Sequence, residues 1–269
     1  MAIFSDERIE FFDRMYRDPS YKMPQAHFHD KHELYYLEKG KTKYFIGNEI
    51  YLLEAGDLVF IPKGIFHKTD RLDNSSAERL LLVFDSEFAG SDFAPYIDEL
   101  KNRKLVRIPV DKQYLIRDII GKIEQENRLR QPGYVVMEQL YLRQLLVLIS
   151  RYRMKDERQE FNESYRTIQS AVIYISEHYS GDLSLDHLSQ KYALSRSRFS
   201  KLFKEVTGIR LTEYINITRI SAAEKLLAKK SMSITEVAER CGFNDSNYFA
   251  AVFKKLKGTT PKKYSSAAK

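Results

Sequence analysis

Two stretches in the last third of the chain are near-copies of each other: SLDHLSQKYALSRSRFSKLFKEVTG, residues 184–208, and SITEVAERCGFNDSNYFAAVFKKLKG, residues 233–258. They are offset by 49 residues at the start and by 50 at the end, so the second copy is one residue longer. Two copies of a helical pattern at this period indicate a duplicated small unit rather than an extended array. Each copy has the outline of a helix-turn-helix, a short helix followed by a tight turn and a second helix. The pattern therefore predicts two DNA-reading units.

Capping residues support the helices in both copies. Ser184 and Ser233 stand where an N-cap hydroxyl accepts a bond from a free amide of the first turn. Gly208 and Gly258 stand where a left-handed C-cap is wanted. Between the copies, residues 211–228 carry the apolar stripe of one continuous helix. At about 1.5 Å per residue it spans roughly 25 Å, which suits two reading units near one DNA turn, about 34 Å, apart.

The charge of the chain is unevenly distributed. The whole sequence has 44 Lys and Arg against 37 Asp and Glu, a formal net charge of +7. Residues 166–269 hold 18 of the basic and 9 of the acidic residues, so this part has a net charge of +9 and the remainder −2. Such asymmetry favours a nucleic-acid partner for the basic part. A merely solvated basic surface is the alternative.

Residues 184–264 resemble the AraC-type (AraC/XylS) DNA-binding domain. The resemblance is carried by ITEVAERCGF at residues 234–243, then by Tyr248-Phe249, Phe253-Lys254-Lys255, Gly258, Pro261 and Tyr264. It implies a regulator of transcription that binds double-stranded promoter DNA and contacts RNA polymerase, more often as an activator than as a repressor.

The resemblance also implies which residues contact DNA, because the family reads bases with residues early in each second helix. The expected base-reading residues are Ser197, Ser200 and Lys201 in the first copy and Ser246, Asn247, Tyr248 and Ala251 in the second. The expected phosphate contacts are Arg196, Arg198, Lys204, Lys254 and Lys255. Lysine can donate to guanine and asparagine can pair with adenine, whereas two alanines, Ala250-Ala251, donate nothing. We therefore expect more sequence specificity from the first copy, with a solvent-facing role as the alternative for each side chain.

The N-terminal part has a different pattern. From residue 33 to residue 69, short runs rich in Tyr, Phe, Leu and Ile are separated by turn signals at 39–40, 47–48, 55–57 and 62–64. This predicts a small antiparallel β-barrel or sandwich. A barrel of this size can hold one ligand. The aromatic rings expected to stack on that ligand are Tyr35, Tyr44, Phe45, Phe60 and Phe66. The alternative is that these rings only fill the core.

The spacing of histidines in this part resembles the two cupin motifs. His27-x-His29, Glu33 and Gly40 match the first motif; Gly56, Pro62-x-Gly64 and His67 match the second, with Arg71 where Asn often stands. The resemblance implies a ligand-binding pocket and a possible divalent transition metal held by His27, His29, Glu33 and His67, in which Zn, Fe, Mn or Ni would fit.

Strand parity gives an expectation for each of these side chains. In an extended strand, residues 27, 29 and 33 point to one side and reach the barrel interior together, whereas His32 points to the other side and is expected at the surface. Without a metal, the same groups would form a polar pocket lining that bonds a small molecule.

Residues 111–130 and 134–152 are predicted to form a helical hairpin joined at Gln131-Pro132-Gly133. Their apolar stripe consists of Leu115, Ile119, Ile123, Val136, Leu140, Leu145, Leu148 and Ile149. The family resemblance implies a homodimer through such helices, and packing on the barrel is the alternative. The predicted domains are a barrel at 1–110, the hairpin at 111–153, a charged linker at 154–164 and the DNA-binding domain at 165–269.

Several classes of protein are disfavoured. Cys241 is the single cysteine, so there is no internal disulfide, and its position before Gly242-Phe243 predicts a packing role. No signal peptide and no apolar run of membrane-spanning length is visible, which favours the cytoplasm. No nucleophile triad or phosphate-binding loop is evident, so we do not expect an enzyme.

The sequence thus predicts a two-domain α+β regulator whose barrel senses a small molecule, and the family resemblance implies a carbohydrate or a related metabolite as the leading class. The alternatives are a metal-dependent cupin enzyme that carries a DNA-binding domain and a dimeric DNA-binding protein that needs no ligand.

Overall fold

A computed structural model describes residues 11–18, 27, 29–73, 75–153 and 162–267. The chain divides into two compact units, residues 1–160 and 161–269. Most of the predicted linker, residues 154–161, lies outside the described residues. The last two linker residues, Glu163 and Ser164, are instead the start of a helix whose N-cap is Asn162.

The N-terminal unit contains two antiparallel sheets. Its strands are β1 (Phe11–Arg17), β2 (His32–Lys39), β3 (Lys41–Ile46), β4 (Glu49–Glu54), β5 (Leu58–Ile61), β6 (His67–Arg71), β7 (Ala77–Phe84) and β8 (Leu105–Val106). One sheet has the order β1-β7-β2-β5-β8 and the other β4-β3-β6. The connections between β2 and β6 fall at the predicted turn signals, which confirms the small antiparallel β-domain.

Both faces of the five-stranded sheet are buried. Alternate residues of β2 show this, because Tyr35 and Leu37 pack with β3 in the space between the two sheets. Their neighbours Leu34 and Tyr36 face the opposite way, into a second core that the helices of this unit cover. A strand that is buried on both sides carries no polar–apolar alternation, so its sequence does not indicate which side a residue faces.

The described part of the N-terminal unit also contains four α-helices: α1 (Ser86–Ala89), α2 (Ala94–Asn102), α3 (Gln113–Leu129) and α4 (Tyr134–Tyr152). The last two form the predicted hairpin, and their buried residues extend the core behind the five-stranded sheet. Three residues of the predicted stripe do not belong to this core: Leu115 on α3 is only partly buried, and on α4 Val136 is 58% exposed and Leu140 is 51% exposed. The α4 helix is apolar on more than one face, which explains the two errors on that helix.

In the described residues of the C-terminal unit, all regular secondary structure is helical. Its helices are α5 (Glu163–Glu177), α6 (Leu185–Lys191), α7 (Arg196–Thr207), α8 (Leu211–Lys229), α9 (Ile234–Arg240), α10 (Ser246–Lys257) and α11 (Pro261–Ala267). We call α6–α7 the first head and α9–α10 the second head. The long connecting helix α8 ends one residue later than predicted.

The predicted caps are confirmed at both heads. Ser184 accepts a hydrogen bond from the amide of His187, and Ser233 forms a reciprocal capping box with Glu236. Gly208 has φ of 75° and Gly258 has φ of 72°, the left-handed conformation that a side chain would strain. The two serines set where the first helix of each head begins, and the two glycines set where each recognition helix ends.

The extra residue of the second copy lies in its turn. The turn of the first head spans residues 192–195 and that of the second spans 241–245. Cys241 in the second turn is fully buried in the apolar core of that head, and burial raises the pKa of its thiol to about 11. The predicted packing role of Cys241 is thus confirmed. Within the described part of the chain, no helix has both the length and the apolar character to cross a membrane.

Candidate ligand, metal and DNA-binding sites

Three histidines and one glutamate meet at one end of the N-terminal unit. Glu33 belongs to β2 and His67 begins β6, while His27 pairs with His67 through an isolated β-bridge. One ligand atom from each of His27, His29, Glu33 and His67 lies within 4.8 Å of the others. The predicted continuous strand from 27 to 33 is not observed among the described residues, since β2 begins at His32. The four predicted ligands nevertheless converge.

The cluster is centred on one carboxylate oxygen. Glu33 Oε2 lies 3.1 Å from His29 Nε2 and 3.5 Å from His67 Nε2. The other oxygen, Oε1, accepts a 2.8 Å hydrogen bond from the Tyr44 hydroxyl on β3. Glu33 and His67 are buried, His29 is partly buried and His27 is exposed, so one side of the cluster faces solvent.

Backbone carbonyls orient two of the imidazole rings. His29 Nδ1 lies 2.7 Å from the Lys31 carbonyl oxygen, and His67 Nδ1 lies 2.9 Å from the Ile65 carbonyl oxygen. A carbonyl only accepts, so both Nδ1 atoms carry a proton and donate it. In the neutral ring this leaves the Nε2 lone pair available, and both Nε2 atoms point at Glu33.

The ionised form of Glu33 is favoured in this cluster. Burial opposes ionisation, but His67 and His29 outweigh burial and hold the pKa of Glu33 well below its usual range. Burial likewise lowers the pKa of His29, yet the hydrogen bond and charge of Glu33 raise it overall. The contact with Glu33 thus favours the protonated form of His29.

The arrangement fits a divalent transition metal. Ligand atoms bound at about 2.1 Å lie about 3.4 Å apart in a tetrahedral site. The separations of Glu33 Oε2 from His29 Nε2 and His67 Nε2, 3.1 and 3.5 Å, are similar. His67 Nε2 is fully buried and makes no hydrogen bond among the described residues, which is the state of a ring nitrogen prepared for a ligand. The Nδ1 bonds to backbone oxygens and the Tyr44–Glu33 bond are the kind of outer contacts that fix metal ligands.

The predicted aromatic lining is only partly found in the interior. Tyr35 and Tyr44 lie between the two sheets, with ring centroids 5.1 Å apart in an edge-to-face pair. Phe60 lies on the helix side of the five-stranded sheet, stacked 5.2 Å from His32 and close to Phe84. The prediction that Phe60 faces a ligand is therefore wrong.

The prediction that His32 lies at the surface is also wrong. Its side chain has no exposed area and lies under α1, where its Nε2 is 2.8 Å from the Ser86 hydroxyl. The Lys63 backbone amide donates to its Nδ1 at 3.1 Å, which places the ring proton on Nε2. Burial, assisted by Lys101 and Lys63, lowers the pKa of His32 to about 4. The opposite parity was predicted correctly, but that side of the sheet is covered by helices.

We expect His32 to make the N-terminal unit sensitive to acid. Protonation needs the Nδ1 lone pair that Lys63 already uses, so the folded pKa lies below the value near 6.5 of the unfolded chain. The contribution of His32 to the free energy of unfolding is then complete above about pH 6.5 and is lost as pH falls towards 4. The free energy of unfolding should decrease by about 1 to 2 kcal/mol between pH 7 and 5. Urea unfolding at both pH values should show this loss in the wild type and a smaller loss in His32→Gln. Equal losses would contradict the assignment.

The first head exposes the residues predicted to contact DNA. Five of them are exposed on the solvent face of α7: Arg196, Ser197, Arg198, Lys201 and Lys204. The sixth, Ser200, is partly buried. The opposite face buries Phe199 and Phe203, which anchor the helix. Arg196 also pairs with Asp186 of α6 at 3.1 Å, so its predicted phosphate contact competes with an ion pair inside the head.

The second head presents a comparable surface. Asn247, Tyr248, Ala251, Lys254 and Lys255 are exposed along α10, and Ser246 is partly buried. The Tyr248 hydroxyl accepts a 2.8 Å hydrogen bond from Asn216 of α8, so one edge of this ring is already held by the protein. Asn216 was not singled out in the sequence, where α8 had the appearance of an apolar spacer. The sequence feature that could have identified Asn216 is the pair of polar residues three positions apart on this helix, Asn216 and Arg219.

Comparisons with known proteins agree with both halves of the fold. Residues 9–94 match the family described as "AraC-like ligand binding domain", and residues 188–267 match the family described as "Helix-turn-helix domain". These two matches include the cupin-like cluster and both heads. The chain therefore combines a ligand-binding domain of AraC type with a helix-turn-helix domain.

Similar proteins of comparable length are named as regulators. The chain is 25% identical over 265 residues to "HTH-type transcriptional activator RhaR" of Mannheimia succiniciproducens, covering 97% of this chain and 93% of the relative. It is 23% identical over 257 residues to "HTH-type transcriptional activator RhaS" of Escherichia coli, covering 90% and 88%. The solved structure of ToxT from Vibrio cholerae O395 is 13% identical, with 96% and 97% covered and a TM-score of 0.38. The chain belongs to the AraC family of DNA-binding transcription regulators.

Proposed function

We propose that this protein activates transcription by placing both heads on promoter DNA, and that a small molecule bound in the N-terminal unit controls that placement. The observation that carries the proposal is the pair of capped recognition helices, whose basic and polar residues are exposed while their apolar faces are buried. The names of the two relatives, both transcriptional activators, support the direction of regulation. Contact with RNA polymerase in the cytoplasm is part of this proposal.

The effector that we propose is a carbohydrate or a related polar metabolite. The interior between the sheets offers an ionised carboxylate, imidazoles and two tyrosine rings, and such groups bind hydroxyls and sugar faces. The protein then works by sensing: an effector shifts the DNA-binding state only through its different affinity for the two states. Turnover of the effector is not part of the proposal.

A divalent metal in the histidine cluster is a second candidate, favoured by the convergence of four ligand atoms and by the buried Nε2 of His67, which lies 3.5 Å from Glu33 Oε2. The metal would be held by His27, His29, Glu33 and His67 and would supply a Lewis-acidic point that oxygen atoms of an effector can approach. Tyr44 would keep Glu33 in place. With a metal bound, the cluster would serve as part of the sensor. A metal-dependent enzyme would in addition have to convert the effector to a product.

The effector proposal is tested by measuring DNA affinity and promoter output with a panel of sugars and sugar derivatives. We expect one class of compound to change DNA affinity, and the change to be lost in Glu33→Gln. Unchanged affinity and output across the panel would contradict effector control. Conversion of any compound to a product would favour the enzyme instead.

We propose a homodimer through the exposed face of α4, because Val136 and Leu140 are large apolar residues left in solvent one helical turn apart. A charge placed in such an interface costs several kcal/mol, so Leu140→Glu should weaken the dimer about 100-fold or more. Sedimentation equilibrium measures this. Tyr114→Glu, at another exposed apolar residue on α3, is the matched control and should leave the dimer intact. A monomeric wild type, or an unaffected Leu140→Glu dimer, would contradict the proposal.

A further inference from the structure

Arg219 connects the segment that precedes the first head to the turn of the second head. It lies on α8, and its Nε donates to the Tyr179 carbonyl oxygen at 2.8 Å while one Nη donates to the Gly181 carbonyl oxygen at 3.1 Å. Both carbonyls belong to the segment between α5 and α6, which leads directly into the first head. On its other side, the guanidinium lies 5.7 Å from the centre of the Phe243 ring, in the turn of the second head.

At the same point, the backbone of the segment before the first head closely approaches the turn of the second head. A Cβ atom at Gly242 would lie 2.9 Å from the Tyr179 carbonyl oxygen and 3.0 Å from Arg219 Nε. Gly242 also has φ of 83°. The corresponding residue of the first turn, Ala193, tolerates a side chain at φ of 51°. Close approach of the first-head segment, together with the backbone conformation, is therefore what restricts position 242 to glycine.

A second contact from α8 reaches the beginning of the second recognition helix. Asn216, one turn before Arg219, donates from Nδ2 to the Tyr248 hydroxyl at 2.8 Å. The Tyr179 side chain packs on the apolar core of the second head, although it belongs to the segment before the first head. Between these contacts lies a cleft of about 690 Å³ lined by both heads and α8. The apolar core of the second head also packs on Ile220, Ala223 and Leu227 of α8, so the polar contacts of Asn216 and Arg219 add to that packing at the edge of the cleft.

We propose that Arg219, with Asn216, is a positioning residue that sets the distance and rotation between the two recognition helices, and so selects DNA by the spacing of its half-sites. The Arg219 bridge is defined as the contacts of Arg219 with Tyr179, Gly181 and Phe243. Two reading units gain affinity together only when their geometry matches the DNA. One added base pair moves the second half-site by about 3.4 Å and rotates it by about 35°. A rigid pair of heads rejects that change, whereas a loosened pair tolerates it.

The inference rests on two-headed DNA binding and is tested with duplexes that the full-length wild type enriches from a random pool. Affinity is measured for the enriched duplex and for the same duplex with one base pair inserted or removed between half-sites. We expect Arg219→Ala to lose about tenfold or more on the enriched duplex but less than about twofold on the altered ones, so discrimination falls. Asn216→Ala should act in the same direction with a smaller change. Lys225→Ala, an exposed cation on the same helix, should keep the wild-type discrimination.

Circular dichroism establishes that each variant is folded, and Arg219→Lys gives a second reading if Arg219→Ala is not. Lysine keeps the charge but cannot bond both carbonyls as arginine does, so spacing discrimination should again be reduced. If Arg219→Ala discriminates between half-site spacings as well as the wild type does, the inference is overturned. If Arg219→Ala does not fold, the same result in Arg219→Lys overturns it. An equal loss on every duplex would also overturn it, since that is general damage. If the wild type enriches no duplex, two-headed DNA binding itself fails.

Discussion

Replacing Lys201 with alanine is expected to weaken binding to the preferred DNA about 5- to 150-fold, because one specific base contact is worth about 1 to 3 kcal/mol. The ammonium group is exposed on α7, next to the partly buried Ser200, where the helix would enter the major groove. Phe199 and Phe203 hold the helix from its opposite face, so removal of Lys201 should leave the fold intact. Fluorescence anisotropy with labelled duplexes measures the loss.

The choice of DNA sequence separates base reading from phosphate binding. Lys201→Ala should lose affinity mainly on the preferred sequence, whereas Lys204→Ala should lose affinity by a similar factor on all sequences. The phosphate variant should also lower the slope of log affinity against log salt by about one. A uniform loss for Lys201→Ala would assign it to phosphate, and no loss would remove it from the interface.

Replacing His67 with alanine is expected to reduce metal binding by more than about 100-fold, because the variant loses an interior ligand whose orientation the protein already fixes. Its Nδ1 donates to Ile65, its Nε2 makes no hydrogen bond among the described residues, and its ring is fully buried. Purified wild type incubated with Zn²⁺ should retain about one ion per chain. Elemental analysis and calorimetric titration measure both quantities.

Two further variants make the metal experiment specific. His32→Gln removes a neighbouring buried histidine that lies outside the cluster and should retain the metal. Tyr44→Phe removes only the hydroxyl that bonds Glu33 and should weaken the metal about 10- to 100-fold. A wild type that retains none of Zn, Fe, Mn or Ni would leave the cluster as a polar pocket lining. Equal retention in His67→Ala would place the metal elsewhere.

The parts of the structure that depend on local chemistry were predictable. The caps at Ser184, Ser233 and Gly208 follow from which residues can satisfy or end a helix, and the duplicated pattern made the two heads visible. The four cupin-like residues converge as their spacing implied, although His27 arrives through an isolated bridge rather than along a strand. The sequence spacing of the four residues therefore predicted the cluster, although the strand assumed from residue 27 to residue 33 is not observed among the described residues.

Several of the errors concern which side of an element is covered. His32 and Phe60 lie on the sheet face that helices cover, and no polar–apolar alternation marks such a face in the sequence. Leu140 belongs to a helix that is apolar on more than one side, so its stripe did not identify the buried face. The contacts of Arg219 join segments about 40 residues apart, and no local pattern announces them.

Selection of duplexes from a random pool by the whole chain tests whether the two heads read DNA together. Two-headed DNA reading predicts enriched sequences with two half-sites about one helical turn, 10 to 10.5 base pairs, apart. The first half-site should tolerate fewer base changes, because the second head carries Ala250-Ala251 where a polar pair would read bases. Enrichment of a single half-site, or of no sequence at all, would contradict the claim that both heads read DNA together.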